Sequence, residues 1–168
     1  MTTTAKEFFA YLQSHGIASE TEWHSPAFTV EDARRLTGHI RGGHTKNLLL
    51  ECKRGSLWLI VCLDNQKLKI NGLSRLLKIP RLSFASAAKM KDRLGVEPGS
   101  VSPFALINDS ERIVQPVFDA KMLQFDLLNY HPLTNSATTT IRSDDLRRFV
   151  EALGYRAIET DLDATQDA

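Results

Sequence analysis

Apolar residues recur along this chain at two rhythms, and the switches between them mark its elements. Phe8, Phe9 and Leu12 fall at helical spacing behind Thr4 and Glu7, a capping box, and Gly16 stops the run. A shorter helix is predicted over "VEDARRLTG", begun by Thr29 with Asp32 and ended by Gly38. The rhythm then changes. "NLLLEC" and "LWLIVCL", separated by "KRGS", read as an antiparallel hairpin, and the second run is so uniformly apolar that it marks a central strand. A helix is predicted at about 71–78.

The second half mixes the same element types. "RLSFAS" is strand-like, and Ser86 caps a helix "AAKMKDRLG". "FALI", "IVQPVF", "FDLLNY" and "ATTTIR" read as strands, with a helical turn near "DAKML". Ser143 caps a last helix "DDLRRFVEALG", closed by Gly154 and followed by a strand "YRAIETDL". Strands gathered in the middle, with helices before and between them, predict one α+β domain with a mixed, mainly antiparallel sheet flanked by helices. Its expected extent is residues 1–162, with 1–40 as an N-terminal helical part and 163–168 as a disordered tail.

Composition narrows the class. With 168 residues, 42% of them hydrophobic, the chain can bury one real core. No run approaches the roughly 18 apolar residues of a membrane span, and acidic Glu7 stands where a signal peptide would be basic and then apolar, so the expected location is cytoplasmic. Cys52 and Cys62 lie in apolar runs without a Cys-x-x-Cys spacing and read as inert thiols in a reducing compartment. The net charge of +1 conceals an asymmetry: Arg41 to Arg93 holds twelve Lys/Arg against three acidic residues, the remainder nine against seventeen. A block that one-sided makes a local field suited to a polyanion, nucleic acid first.

Several chemistries are missing. There is no Gly-x-Ser-x-Gly for a serine hydrolase, and neither "GSVSP" nor "IRGGH" has the spacing of a phosphate-binding fingerprint. His15, His24, His39, His44 and His131 do not fall at metal-ligand spacings with carboxylates, so no metal and no cofactor is predicted. Three stretches do combine polar residues with turn formers beside strands: "GGHTKNLLL", "PGSVSPF" and "NYHPLTNSATTT". In isolation each has an ordinary reading, a hairpin edge with a solvated lysine, a structural loop, and a satisfied histidine before a proline. "VEPGSVSPFALIND" carries more turn formers than a tight turn needs, which suits a loop that fixes backbone N–H groups.

Taken together, "GHTKNLLL", "RLSFAS", "PGSVSPFALIND" with its Gly99 to Pro103 G-x-x-x-P element, and "HPLTNSATTTI" resemble the bacterial trans-editing aminoacyl-tRNA deacylases of the YbaK type. These are relatives of the editing domain inserted in prolyl-tRNA synthetase. The resemblance runs from about "FTVEDA" to the last helix, and it is strongest with the free-standing proteins that remove alanine wrongly attached to the proline tRNA.

The resemblance implies hydrolysis of an aminoacyl ester without a nucleophilic side chain, because the ester is already activated and the neighbouring ribose hydroxyl can help place water. It implies an oxyanion site from main-chain amides around Gly99, Ser100, Val101, Ser102 and Pro103. Lys46 would bind the phosphate or ribose of the terminal adenosine, Asn47 would orient substrate or water, and His131 would hold the ribose or amino-acid end. Phe28, Val30, Phe104 and Leu106 would wall a small pocket excluding proline by size. Arg81, Lys89, Lys91 and Arg93 would meet the acceptor stem. The implied partner is mischarged tRNA(Pro), met in trans by a monomer with transient contact to prolyl-tRNA synthetase or an elongation factor, and without a membrane. Left open are a same-fold deacylase of other specificity, for cysteine or a Ser/Thr-type residue, and a non-catalytic tRNA-binding module. A thiol hydrolase using Cys52 or Cys62 ranks behind these, since no histidine stands in a readable relation to either.

Overall fold

Among the described residues, side-chain caps open three of five α-helices. The structure, a computed structural model, describes residues 2–167, the side chains of Val30 and Asp167 excepted. Thr4 Oγ1 accepts the Glu7 amide at 3.2 Å and starts α1 (Ala5–Ser14), and Thr29 Oγ1 accepts the Asp32 amide at 3.0 Å to start α2 (Val30–Thr37). Of α3 (Ile70–Leu77), α4 (Ala87–Leu94) and α5 (Ser143–Ala152), α4 is capped by Ser86 as expected. Ser143 is not a cap: it is the first residue of α5, and Arg142 holds the cap position without a side-chain bond. Asp144 and Asp145 in the first turn suit the positive end of the helix dipole there.

Eight strands form one mixed sheet: β1 (Ser19–Trp23), β2 (Gly43–Cys52), β3 (Leu57–Leu63), β4 (Leu82–Phe84), β5 (Val114–Asp119), β6 (Leu127–Tyr130), β7 (Ala137–Arg142) and β8 (Ile158–Thr160). Their order is β1-β7-β6-β2-β3-β5-β8, with β4 pairing the far end of β2. The predicted hairpin is the β2–β3 pair, Thr45 opposite Leu63 and Glu51 opposite Leu57, and β3 is central as its apolar run required.

Three expectations need correction. The first forty residues are not wholly helical, because β1 pairs antiparallel with β7; it is an edge strand exposed at four of five positions and so lacks a half-buried alternation. "FALI" is not a strand but part of a 3-10 helix, Pro103–Asn108, since Ser102 Oγ caps it through the Phe104 amide and Pro103 at its start has a helical φ already set. Residues 163–167 are not a frayed tail. They belong to a 3-10 helix, Leu162–Asp167, whose Thr165 is fully buried and whose Leu162 amide donates to Asp119 Oδ1 at 2.9 Å.

The sheet separates two cores. Alternate residues of β2 and β3 divide between them: Leu49, Leu57, Leu59 and Val61 pack toward α1, α5 and the Pro103–Asn108 helix, while Leu50, Cys52, Ile60 and Cys62 pack toward α3 and Leu162. Among the described residues no helix is long and apolar enough to cross a membrane.

Candidate functional site

A cleft of about 130 Å³ opens where β2 parts from its neighbour β6. The two strands run parallel for only two residue pairs, Gly43 with Leu128 and His44 with Asn129. Gly42 permits that junction: its φ is +101°, and a Cβ there would lie 2.8 Å from the Leu127 carbonyl oxygen. Asn129 then stitches it, donating to the Arg41 carbonyl at 3.0 Å, accepting from Thr140 Oγ1 at 2.6 Å and offering its own carbonyl to Thr45 Oγ1 at 2.6 Å.

Beyond this junction one edge of β2 is unpaired. Asp64 N donates to His44 O and Cys52 N to Ser56 O, each at 2.9 Å, so the even residues of β2 aim their main-chain groups at β3. The odd residues aim the other way. On that side bonding resumes at the Leu49 carbonyl, which accepts the Ala85 amide at 3.0 Å, so Asn47 has neither its N–H nor its C=O paired among the described residues and presents both to the gap. Its side-chain Oδ1 is buried without a hydrogen-bond partner among the described residues. Unsatisfied groups of this kind are costly where nothing binds them.

The cleft brings together Lys46 and Asn47 from β2 with His131 from the end of β6. Lys46 donates one of its three ammonium protons to the Gln66 carbonyl. His131 Nδ1 is 3.0 Å from the Ala137 carbonyl, which fixes the proton on that nitrogen and leaves Nε2 as an acceptor without a partner among the described residues. Burial pushes the imidazole pKa below its ordinary 6.5; the Ala137 bond opposes this and the charge of His24 adds to it. His131 is therefore neutral at physiological pH.

Helix α2 supplies the opposite wall with Ala33, Arg34 and Thr37, helped by Ala27 before it. Arg34, which sequence reasoning missed, is a second cation lining the cleft, on a different element from Lys46, and has no ion pair among the described residues. Its signal was available: Ala33, Arg34 and Thr37 share one face of a helix too polar to belong to a core.

Other expected residues lie elsewhere. Phe28 is 81% exposed and does not line the cleft, whereas Phe104 and Leu106 are fully buried in the core beneath it. The Val30 side chain lies outside the described residues. These positions therefore supply no described wall; Ala27, Ala33, Gly38, Thr45, Tyr130 and Thr138 line the cleft beside its charged and polar groups instead. Ser100, Val101, Ser102 and Pro103 are buried, and none of Gly99 to Pro103 lines the cleft. Their loop stands directly behind it, with Ser102 Oγ donating to the His131 carbonyl at 2.7 Å and Gly99 at φ +92° beside Asn135. The Ser100 amide is spent on the Glu97 carbonyl, but those of Gly99, Val101 and Ser102 have no acceptor among the described residues. Of the expected RNA contacts, Lys89 pairs with Glu51, Lys91 with Glu97, and Arg93 with Asp92 and Glu111, all around α4; Arg81 has no such pair among the described residues.

A thiol mechanism finds no support. Cys62 is fully buried with its thiol pushed up to about 12 by burial, and Cys52 sits against the Ser56 hydroxyl at the opposite end of β2.

Comparison with known proteins places this geometry in context. A family profile described as "Aminoacyl-tRNA editing domain" matches residues 24–149, which include Lys46, Asn47 and His131. The chain is 33% identical over 160 residues to "Prolyl-tRNA synthetase associated domain-containing protein 1" of Danio rerio, covering 94% of this chain and 87% of that one. It is 32% identical over 139 residues to "Prolyl-tRNA editing protein ProX" of Acetoanaerobium sticklandii, covering 81% and 85%. A crystal structure described as that of "a putative trans-editing enzyme for prolyl tRNA synthetase" matches the fold with a TM-score of 0.71 at 19% identity, over 96% of this chain and 98% of that one.

Proposed function

Since this chain belongs to the aminoacyl-tRNA editing domain family, a family of aminoacyl-tRNA deacylases, we propose that it removes alanine from mischarged tRNA(Pro) in trans. The observation that carries this reading is the convergence of Lys46, Asn47 and His131 on a cleft bordered by an unpaired strand edge. The names of the relatives, which concern prolyl-tRNA synthetase and its editing, support the choice of tRNA.

The terminal adenosine enters along the open edge of β2. Lys46 offers its two remaining N–H donors to the ribose or phosphate, Asn47 pairs its orphaned Oδ1 with substrate or water, and the neutral His131 accepts through Nε2 at the ribose or amino-acid end. Water attacks the ester carbon, aided by the vicinal ribose hydroxyl. The Gly99–Pro103 loop does not line the cleft and so does not reach the oxyanion there; it braces His131 from behind through Ser102 Oγ. Breakdown of the tetrahedral species breaks the ester C–O bond, releasing alanine and a tRNA with its 3′ hydroxyl restored.

Specificity is a matter of bulk. A larger ring gains apolar contact, so attraction alone cannot spare proline, whereas a stiff wall it overlaps can. A cleft of about 130 Å³ is small against the roughly 300–1,000 Å³ of drug-sized pockets. Arg34 and Arg81, unpaired among the described residues, are the cations readiest to meet acceptor-stem phosphates; Lys89, Lys91 and Arg93 would first have to exchange their carboxylate partners.

The pH profile of single-turnover alanine release tests this reading. Because His131 titrates below 6.5, release should be insensitive to His131 ionisation down to that pH and fall below it, as Nε2 takes up a proton and ceases to accept. Stability has the same sign: below about 6.5 the unfolded chain binds a proton the folded one resists, so folding weakens as pH drops. A chain that binds alanyl-tRNA(Pro) but releases nothing at any pH is a binding module, and the proposal fails.

A further inference from the structure

Lys46 does not reach its carbonyl partner by chance, and the group that holds that partner comes from the far end of the chain. We propose that Asp163 and Gln66 form a positioning relay for Lys46, anchored by the C-terminal 3-10 helix. This inference rests on the catalytic reading of Lys46 given above.

The relay is a continuous set of hydrogen bonds. The Lys46 ammonium donates to the main-chain carbonyl of Gln66, a residue only 6% exposed. Three contacts hold Gln66 itself. Its amide closes a turn on the Leu63 carbonyl at 3.0 Å, and its side-chain Nε2 donates to Asp163 Oδ1 at 2.7 Å and to the Lys67 carbonyl at 2.9 Å. The other carboxylate oxygen of Asp163 pairs with Lys121.

Asp163 is in turn fixed by its helix. Leu162 and Thr165 are fully buried; the Leu162 amide bonds Asp119 Oδ1, and Thr165 Oγ1 donates to the Leu162 carbonyl at 2.8 Å while accepting the Lys69 amide at 3.3 Å. Gly72 of α3 makes the room, since a Cβ there would stand 2.1 Å from the Thr165 carbonyl oxygen. A buried glutamine whose carboxamide is tied to a distant carboxylate, while its carbonyl holds a cleft lysine, is more than packing requires.

The physical role is pre-organisation. A lysine side chain has four rotatable bonds and loses substantial entropy when fixed at the moment of reaction. A carbonyl held rigidly by the relay removes that freedom beforehand and aims the two remaining donors into the cleft. Asp163 touches no substrate and acts through Gln66 and Lys46.

Single-turnover alanine release by the full chain tests this, together with affinity for uncharged tRNA(Pro) and thermal melting. Asp163→Ala should slow release by roughly tenfold, since a small displacement of a positioned group can cost up to about a hundredfold, with tRNA affinity unchanged. Asp163→Asn, which keeps an oxygen to accept from Gln66, should restore most of the rate. Lys121→Ala, removing only the ion pair, should act as wild type. In a Lys46→Ala background, Asp163→Ala should cost nothing further. Wild-type release by Asp163→Ala, failure of Asp163→Asn to restore it, or a full additional loss in the Lys46→Ala background would each overturn the relay. Wild-type release by Lys46→Ala alone would instead overturn the catalytic reading on which it rests.

Discussion

Lys46→Ala should lower single-turnover deacylation by about a hundredfold to a thousandfold, the range for removing one preorganised donor from an active site, while leaving the fold intact. The fold is spared because Lys46 is half-buried at a strand edge and contributes no core packing; its neighbours Leu49 and Leu50 do that. The rate suffers because the ammonium is already in place before substrate arrives. Strand β2 is paired to β3 along its length, with Lys46 directly opposite Cys62, so the Cα cannot drift, and the Gln66 carbonyl holds the other end of the side chain. Truncation removes both the charge and its fixed direction. Arg34 lines the same cleft from a different element and cannot replace that direction. The check is release of labelled alanine at saturating protein, with melting temperature as the control, and a wild-type rate would contradict the role assigned to Lys46.

Phe104→Ala should have the largest effect on stability, costing about 3–5 kcal/mol and on the order of 10 °C in melting temperature. Phe104 is fully buried, with ring centroids 4.5 Å from Phe8 and 5.6 Å from both Tyr130 and Phe149. Its loss therefore opens a cavity where α1, α5 and the sheet meet. The same substitution separates a core residue from a pocket wall. As a core residue, Phe104 leaves the ratio of alanine to proline release unchanged when truncated. As a wall, its removal would enlarge the pocket and admit proline with little change in melting. Thermal unfolding alongside release from prolyl-tRNA(Pro) distinguishes the two, and proline release without destabilisation would contradict the placement.

Much of the fold was legible where one force dominated. Capping at Thr4, Thr29 and Ser86 is local chemistry, and all three caps form. The β2–β3 hairpin follows from two apolar runs and a turn, and the central place of β3 from its lack of polar positions. Legibility failed where tertiary context decided. β1 is an exposed edge strand carrying no periodic signal, and the polar "DATQD" is ordered by Asp119, Lys69 and the space left at Gly72, residues distant in sequence.

The site divides in the same way. Turn formers beside strands marked the stretches that hold Lys46, Asn47 and His131, but only the resemblance carried by those stretches together singled the three residues out, and the structure brings them to one cleft. Pocket walls were not readable. Phe104 and Phe28 are equally apolar in sequence, yet one is in the core and the other is 81% exposed, because only the packing of the 3-10 helix and of the loop before α2 decides between them. Arg34 and Gln66 escaped notice for a related reason: each acts through what a distant element brings to it.

Release of amino acid from a panel of charged tRNAs tests the central claim most directly: alanine, cysteine, serine and proline on tRNA(Pro), and alanine on its own tRNA. Rapid loss of alanine from tRNA(Pro), with proline and correctly attached alanine retained, is the predicted result. Proline released as fast as alanine, or cysteine or serine released in preference to it, would contradict selection by bulk in this cleft.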